Sequence, residues 1–174
     1  MIDATELRTR SATLADAAAI AAIYNEGIAD RIATFETEPR SAEQITEWFT
    51  GRRLVIVAET EETGLVAFVT SSPYSHRACY AGICEFSVYV RRDYRGRGAG
   101  RGVLAALTEA ATAAGLHKLT SRVFPENIAS RALLKGLGFE EIGIHRRHGK
   151  LDGVWRDCVI IERLLDTGSA EDPG

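Results

Sequence analysis

The feature that most constrains the fold is a glycine-rich segment placed between an apolar run and a helical pattern. Residues 83–90 (Ile-Cys-Glu-Phe-Ser-Val-Tyr-Val) are rich in β-branched and aromatic residues, as is typical of a strand. Glycines follow at positions 96, 98 and 100, and residues 100–114 form an Ala- and Leu-rich helical pattern. A strand that passes into a helix through such a turn indicates a domain in which helices pack on a sheet.

The glycine turn has the chemistry of an anion-binding site. Gly96, Gly98 and Gly100 permit positive φ angles, so successive N–H groups can point into one concavity. The following helix contributes its positive N-terminal end, and Arg95, Arg97 and Arg101 contribute charge, which favours a pyrophosphate. The spacing fits neither a dinucleotide fingerprint nor a P-loop. The alternative is a flexible turn whose arginines are solvated.

The remaining elements predict an α/β (α+β) domain with a mixed sheet flanked by helices, in the order β-α-α-β-β-β-α-β-α-β-β. Candidate helices begin near Thr13, Ser41, Gly100 and Asn127. We expect one domain over residues 1–165 and a disordered tail over 166–174. The candidate strands are Leu7–Ala12, Leu54–Glu59, Leu65–Ser71, Ile83–Val90, Leu119–Phe124, Phe139–Ile144 and Val154–Leu164.

Composition narrows the function classes. The formal charge of −3 over 174 residues disfavours a nucleic-acid partner, and we find no signal pattern and no apolar run long enough for a membrane span. Three cysteines without paired spacing predict reduced thiols, so we expect a cytoplasmic protein. His145 and His148, three residues apart on an extended hairpin, are expected to face opposite sides, so we predict no metal site.

Two spaced motifs carry a resemblance to a known family. Arg95-x-x-Gly98-x-Gly100 after a strand resembles the acetyl-CoA pyrophosphate loop of the GCN5-related N-acetyltransferase superfamily. Asn127-x-x-Ser130, followed by Leu-Gly-Phe at 137–139, is similar to the second half of that site, although Asn127 could also simply cap a helix. The resemblance implies acetyl-CoA as co-substrate, with no metal. It also implies cofactor contacts from the loop and from the strand backbone, namely from Val88, Tyr89, Val90, Arg95, Gly96, Arg97, Gly98, Ala99, Gly100, Arg101, Asn127 and Ser130.

A narrower resemblance concerns the acceptor. Residues 34–39 (Thr-Phe-Glu-Thr-Glu-Pro), 72–75 (Ser-Pro-Tyr-Ser) and 146–153 (Arg-Arg-His-Gly-Lys-Leu-Asp-Gly) are similar to the phosphinothricin N-acetyltransferase group, and most like its arsinothricin-resistance branch. This implies a homodimer that detoxifies glutamate-like amino acids such as phosphinothricin, arsinothricin or methionine sulfoximine. The alternatives are an acetyltransferase for another amine or a peptide N-terminus, and a non-catalytic acetyl-CoA-binding regulatory module.

Candidate roles follow from what acetyl transfer requires. The attacking amine must lose a proton, and Glu85, on the strand that enters the glycine turn, is the predicted base. Its neighbours Cys84 and Phe86 predict an apolar setting. The superfamily's tyrosine proton donor is replaced here by Leu134, so solvent or another group must protonate the thiolate. The predicted acceptor-binding residues are Tyr24, Phe35, Arg77 and Tyr80, which could instead be core aromatics and an exposed arginine.

Overall fold

The computed structural model describes residues 7–166, so the predicted disordered tail lies outside them apart from Asp166. Within this range the predicted element order is confirmed. The strands are β1 (Arg8–Ser11), β2 (Val55–Thr60), β3 (Gly64–Pro73), β4 (Ile83–Val90), β5 (Lys118–Val123), β6 (Glu140–Leu151) and β7 (Val154–Leu164). The helices are α1 (Ala17–Asp30), α2 (Ala42–Thr46), α3 (Ala99–Ala113) and α4 (Ile128–Lys135).

The described strands form one mixed sheet in the order β1-β2-β3-β4-β5-β7-β6. Neighbours pair antiparallel, except that β4 and β5 run parallel. A parallel pair needs a crossover connection, and α3 supplies it. The glycine turn therefore lies at the carboxyl end of β4, beside the parallel pair.

Helices cover both faces of the sheet but leave part of one face open. On one side α1 and α2 pack on β2, β3 and β4 through a cluster that includes Ile20, Phe68 and Tyr89. On the other side α3 and α4 pack through a cluster that includes Leu104 and Phe86. Because α1 and α2 do not reach β5 and β7, this side of β5 and β7 is not covered by a helix, and polar residues can lie on it.

The C-terminal hairpin is longer than the sequence pattern predicted. The prediction ended the first of its strands at Ile144, whereas β6 continues to Leu151 and pairs with β7 near both of its ends. Residues 145–150 are largely charged and do not have the apolar pattern of a strand. The reason is that β6 is an edge strand and most of its side chains are exposed. A register shift between His145 and Gly149 interrupts the pairing. Trp155, on β7 of the same hairpin, is 53% exposed.

Candidate active site

The site begins where β4 and β5 separate. The two strands pair only at residues 83–85 and 118–120, while β4 stays paired with β3 as far as Val90 and β5 stays paired with β7 as far as Val123. Each strand keeps its outer partner, so a gap opens between them. We call this the strand gap. Its lining includes Ser87, Val88, Arg122 and Leu134.

Backbone groups of β4 point into the strand gap. The amide of Arg91 donates to the carbonyl of Val66 on the β3 side, at 2.8 Å. Because peptide groups alternate sides along a strand, the N–H and C=O groups of Phe86, Val88 and Val90 face the gap. The carbonyl of Phe86 accepts a hydrogen bond from Ser121 Oγ of β5 at 2.9 Å, which agrees with that orientation. The amide of Val88 is therefore a donor aimed at a ligand in the gap.

The glycine loop adds a second cleft, of about 440 Å³, which opens beside the strand gap. Gly96 and Gly98 have φ angles of +74° and +89°, so both use the left-handed region. Gly98 is the N-cap of α3, and the first amides of that helix point toward the cleft. The lining of this glycine-loop cleft includes Val88, Tyr89, Val90, Arg95, Gly96, Gly98, Ala99, Gly100, Arg101, Asn127 and Ser130.

The three loop arginines have different surroundings. Arg95 lines the cleft, but its guanidinium pairs with Asp30 of α1 at 2.6 Å. Arg92 also pairs with Asp30, and these two partners hold the pKa of the Asp30 carboxyl below its usual range, with Arg92 the larger cause. Arg101 lines the cleft and is exposed. Arg97 instead lies over the ring of Tyr94 and is not among the residues that line the cleft, so its predicted contact with the cofactor stays a prediction.

Asn127 is both a helix cap and part of the cleft wall. Its Oδ1 accepts from the amide of Ser130 at 3.2 Å and so caps α4. Its Nδ2 donates to the carbonyl of Ile32 at 3.3 Å. Asn127 and Ser130 also line both the glycine-loop cleft and the strand gap. Asn127 therefore caps α4 and also lies in the cleft wall, which is compatible with the cofactor contact that the motif predicts.

A third cleft occupies the uncovered face of the sheet. It has a volume of about 600 Å³, and we call it the sheet-face cleft. Arg122 lines both this cleft and the strand gap, so it stands where the two meet. The charged and polar residues of its lining are Tyr74, Tyr80, Glu85, Lys118, Thr120, Arg122, His145, His148 and Glu162.

The predicted apolar setting of Glu85 was wrong. Arg122 Nε donates to Glu85 Oε1 at 2.8 Å, and Arg122 Nη2 donates to the same oxygen. The reason is tertiary, because residues 85 and 122 lie on one face of the sheet, whereas Cys84 and Phe86 face the α3 side. Both donors use Oε1, so Oε2 can accept from a ligand in the sheet-face cleft, which Glu85 lines.

His145 and His148 lie on the same side, contrary to the expectation of opposite faces. Their ring centroids are 4.4 Å apart, and both rings line the sheet-face cleft. The register shift in this part of β6, where Arg147 has φ +48°, breaks the two-residue alternation on which that expectation depended. Across residues 7–166, we find no group of three or more His, Cys, Asp or Glu side chains placed to hold a metal ion.

Of the four predicted acceptor-binding residues, one lines the sheet-face cleft and three lie outside it. Tyr80 lines the sheet-face cleft, whereas Arg77 is exposed, lies over the Tyr80 ring and is not part of the lining. Tyr24, on the buried face of α1, packs against Phe68 and Tyr89, and burial raises its pKa. Phe35 packs edge-on against Phe124. Neither Tyr24 nor Phe35 lines the clefts described above, so their packing matches the alternative of core aromatics.

Sequence reasoning missed Arg122 and overlooked what His148 contacts. A usable signal was present, because Lys118, Thr120 and Arg122 occupy alternate positions of a central strand and so share one face of the sheet. A polar stripe on a central strand indicates a face that no helix covers. His148 had no comparable local signal, because the bulge in β6 decides where it points.

Comparison with known proteins agrees with this geometry. The sequence profile of the family described as Acetyltransferase (GNAT) domain matches residues 6–140, which is most of the chain. The chain belongs to the GNAT acetyltransferase family. It is therefore an acetyl-CoA-dependent N-acetyltransferase.

Three relatives of this GNAT chain are informative. It is 32% identical to an L-methionine sulfoximine/L-methionine sulfone acetyltransferase of Pseudomonas paraeruginosa, over 90% of this chain and 94% of that one. A phosphinothricin acetyltransferase from Sinorhizobium meliloti, solved with acetyl-CoA, superimposes with a TM-score of 0.87 at 28% identity, covering 97% and 94% of the two chains. A ribosomal-protein-alanine N-acetyltransferase from Brucella melitensis superimposes with a TM-score of 0.86 at 33% identity, covering 91% and 99%.

The glycine-loop cleft of this GNAT domain fits the co-substrate of the family. A Cβ at Gly100 would lie 3.0 Å from Leu133 and 3.3 Å from Val90, so the loop packs closely only because this residue is glycine. The backbone donors at the start of α3 suit a pyrophosphate, and the adjacent strand gap extends to Arg122, the partner of Glu85. Leu134 is buried and lines the gap, so the superfamily's tyrosine position carries no proton donor here. Within residues 7–166, none of the helices has the length and apolar composition needed to cross a membrane.

Proposed function

We propose that this protein transfers the acetyl group of acetyl-CoA to the α-amino group of a glutamate-like amino acid with an anionic or polar head group, as in detoxification. The observation that carries the proposal is the position of Arg122, which lines both the strand gap and the sheet-face cleft and pairs with Glu85 of the sheet-face cleft. A carboxylate and a guanidinium at this junction suit an acceptor that carries both an ammonium and an acid group. The names of the methionine sulfoximine and phosphinothricin relatives support the same class.

The proposed mechanism is direct transfer in a ternary complex. Acetyl-CoA supplies a thioester, which is an activated acyl group. Glu85 Oε2 takes the proton of the acceptor ammonium, and the freed nitrogen lone pair forms the new bond to the acyl carbon. The amide of Val88 donates to the carbonyl oxygen as negative charge develops on it. The carbon–sulfur bond then breaks and its electron pair leaves with the thiolate. The nitrogen releases its second proton to solvent, and solvent supplies the thiolate with the proton that Leu134 cannot.

The sheet-face cleft supplies the recognition groups of this proposal. Lys118 pairs with Glu162 at 3.0 Å, and Arg122 pairs with Glu85, so each cation has an anion beside it. A bound acid group can displace Glu162 from Lys118, while Arg122 stays paired with Glu85. Tyr80, on the same wall, offers a hydroxyl donor. Arg77 is not assigned a contact with the acceptor, because its side chain lies outside the lining.

Two properties accompany the proposal. The exposed β6–β7 hairpin supports a homodimer, since an edge strand of twelve residues carries apolar side chains such as Ile144, 56% exposed.

The three cysteines, all within the described residues, are free thiols, and Cys84 and Cys158 are buried. Free thiols are typical of reducing compartments, which supports a cytoplasmic place of action.

The likeness to a ribosomal-protein-alanine N-acetyltransferase favours a second candidate, a peptide N-terminus as acceptor. The two candidates differ in the size of the acceptor beyond its amine. A closed amino-acid site accepts a free α-carboxylate and rejects a peptide bond at the same place. A regulatory module that only binds acetyl-CoA would turn over neither acceptor.

The test is thiol release from acetyl-CoA with phosphinothricin, arsinothricin, methionine sulfoximine, glutamate and a short peptide as acceptors. We expect turnover with the glutamate analogues, and a kcat/KM lower by about 10²–10⁴ in Glu85→Gln, because the variant has lost its proton acceptor. Acetyl-CoA binding, measured by calorimetry, should be the same in both proteins. Glu61→Gln, in the exposed turn between β2 and β3, is the matched control. Turnover of the peptide alone would replace the proposal with the second candidate.

A further inference from the structure

The Glu85–Arg122 pair has a third member. Arg122 Nη1 lies 3.1 Å from His148 Nε2, while Nε and Nη2 of the same guanidinium donate to Glu85 Oε1. The three side chains come from three strands, β4, β5 and β6. Arg122 is 45% exposed, so without a contact on its far side it would be free to change rotamer.

The hydrogen bond identifies the form of the imidazole. A guanidinium nitrogen can only donate, so His148 Nε2 must be the acceptor in this contact. His148 is therefore neutral, with its proton on Nδ1. A second proton would occupy Nε2, remove the hydrogen bond and place two cations side by side.

We propose that His148 is a positioning residue for Glu85, acting through Arg122. Neutral His148 anchors Nη1, which holds the guanidinium against Glu85 Oε1 and keeps Oε2 directed toward the acceptor amine. Protonation of His148 releases Arg122, and Glu85 loses its fixed orientation. The inference rests on the proposed function, because it concerns the residue that holds the proposed base.

The surroundings of His148 agree with a neutral imidazole. The pKa of His148 lies below its usual range, first because of desolvation and then because of the nearby His145 and Arg122, while Glu85 opposes the shift. The titratable groups that share the cleft are Glu85 of β4, Lys118 and Arg122 of β5, His145 of β6, Glu162 of β7, and Tyr74 and Tyr80 of the loop before β4. Asp157 of β7 is engaged by the amide of Arg147.

The sign of the pH effect follows. A histidine with a lowered pKa is neutral near pH 7, so the network is intact there and is lost as the pH falls through the pKa of His148. The wild type should therefore show a fall in kcat/KM on the acid side that belongs to this residue. This network predicts no fall in kcat/KM on the alkaline side.

The kinetic test compares His148→Gln, whose amide oxygen can accept from Arg122 at every pH, with His148→Leu, which cannot accept at all. As the pH is lowered from 8 into the acid limb of the wild-type profile, the kcat/KM of His148→Gln divided by that of wild type should rise about tenfold. The reason is that the variant lacks the protonation of His148 that lowers wild-type activity. His148→Leu should lower kcat about 10–100-fold at pH 8 with an unchanged KM for acetyl-CoA, since the base is misplaced. His117→Gln, an exposed histidine that lines none of the three clefts, is the matched control.

A second readout needs no acceptor, so it separates this inference from the proposed function. Imidazole NMR should show His148 protonated on Nδ1 in wild type, and Arg122→Gln should raise its pKa by removing a neighbouring cation. Superimposable pH profiles of wild type and His148→Gln would overturn the inference. So would a proton on Nε2, or a loss in His148→Leu that appears only in the KM of the acceptor. If His148→Leu does not fold, the NMR titration and His148→Gln still decide.

Discussion

Gly98 and Gly51 have nearly the same backbone conformation, with φ angles of +89° and +87°, and a Cβ at either would meet no atom within 4 Å. Any L-residue at these positions is strained to a similar extent. They differ in what lies beside them, because Gly98 caps α3 at the glycine-loop cleft and Gly51 lies in a loop before β2. This pair separates the cost of a left-handed residue from the cost of disturbing a binding loop.

We expect Gly98→Ala and Gly51→Ala each to lower the free energy of unfolding by about 1–2 kcal/mol, the usual cost of the left-handed region. Gly98→Ala alone should also raise the KM for acetyl-CoA, by about fivefold or more, because the strained loop moves its N–H donors away from the pyrophosphate. Denaturant unfolding and initial-rate kinetics on both variants provide the comparison. Equal KM values would mean that the loop conformation does not contribute to binding.

Helix α4 shows how one side chain can serve an element and a site together. Asn127 caps the helix with its Oδ1 and presents its amide at the cleft wall. Ser41 caps α2 in the same manner, accepting from the amide of Gln44, but does not line any of the clefts described here. The two caps therefore allow the structural and the binding contributions to be measured apart.

Asn127→Asp should keep most of the stability, because aspartate is an equally good N-cap, yet raise the KM for acetyl-CoA, since the Nδ2 donor is lost and a negative charge faces the phosphates. Ser41→Ala should do the reverse and lose about 1 kcal/mol of stability with an unchanged KM. Thermal unfolding and steady-state kinetics report the two effects. If Asn127→Asp binds acetyl-CoA as wild type does, Asn127 is a cap alone.

At the level of the whole molecule, the edge formed by β6 is exposed over most of its length. Its twelve residues include Ile142 and Ile144, each more than half exposed, and the adjacent β7 adds Val154 and Trp155. An unpaired edge with apolar side chains is a typical association surface. The sheet-face cleft lies next to it, because Ile142, His145 and His148 line that cleft.

We expect the protein to be a dimer at micromolar concentration, and Ile144→Glu to shift it toward monomer by placing a charge in the contact. Leu14→Glu is the matched control, because Leu14 is 62% exposed and lies outside the hairpin. Light scattering coupled to size exclusion measures the mass of each variant. A monomeric wild type would contradict the proposed homodimer.

Local patterns were sufficient for the element order and the glycine loop. Strand and helix periods, the caps at Thr13 and Ser41 and the glycine spacing act over a few residues, so they can be read without knowing the fold. They also located the cleft wall at Asn127. The prediction ended β6 too early because an exposed edge strand has no apolar alternation to detect.

Tertiary structure decided the surroundings of the reactive groups. Glu85, Arg122 and His148 are separated by 37 and 26 residues along the chain, and only the sheet order β4-β5-β7-β6 and the bulge in β6 bring them together. The expected apolar setting of Glu85 failed because sequence neighbours on a strand face opposite sides. The side on which His148 lies depends on a bulge, and a bulge is a property of two paired strands. Which side chains meet across a sheet is set by register and uncovered faces, and neither is a local property of the chain.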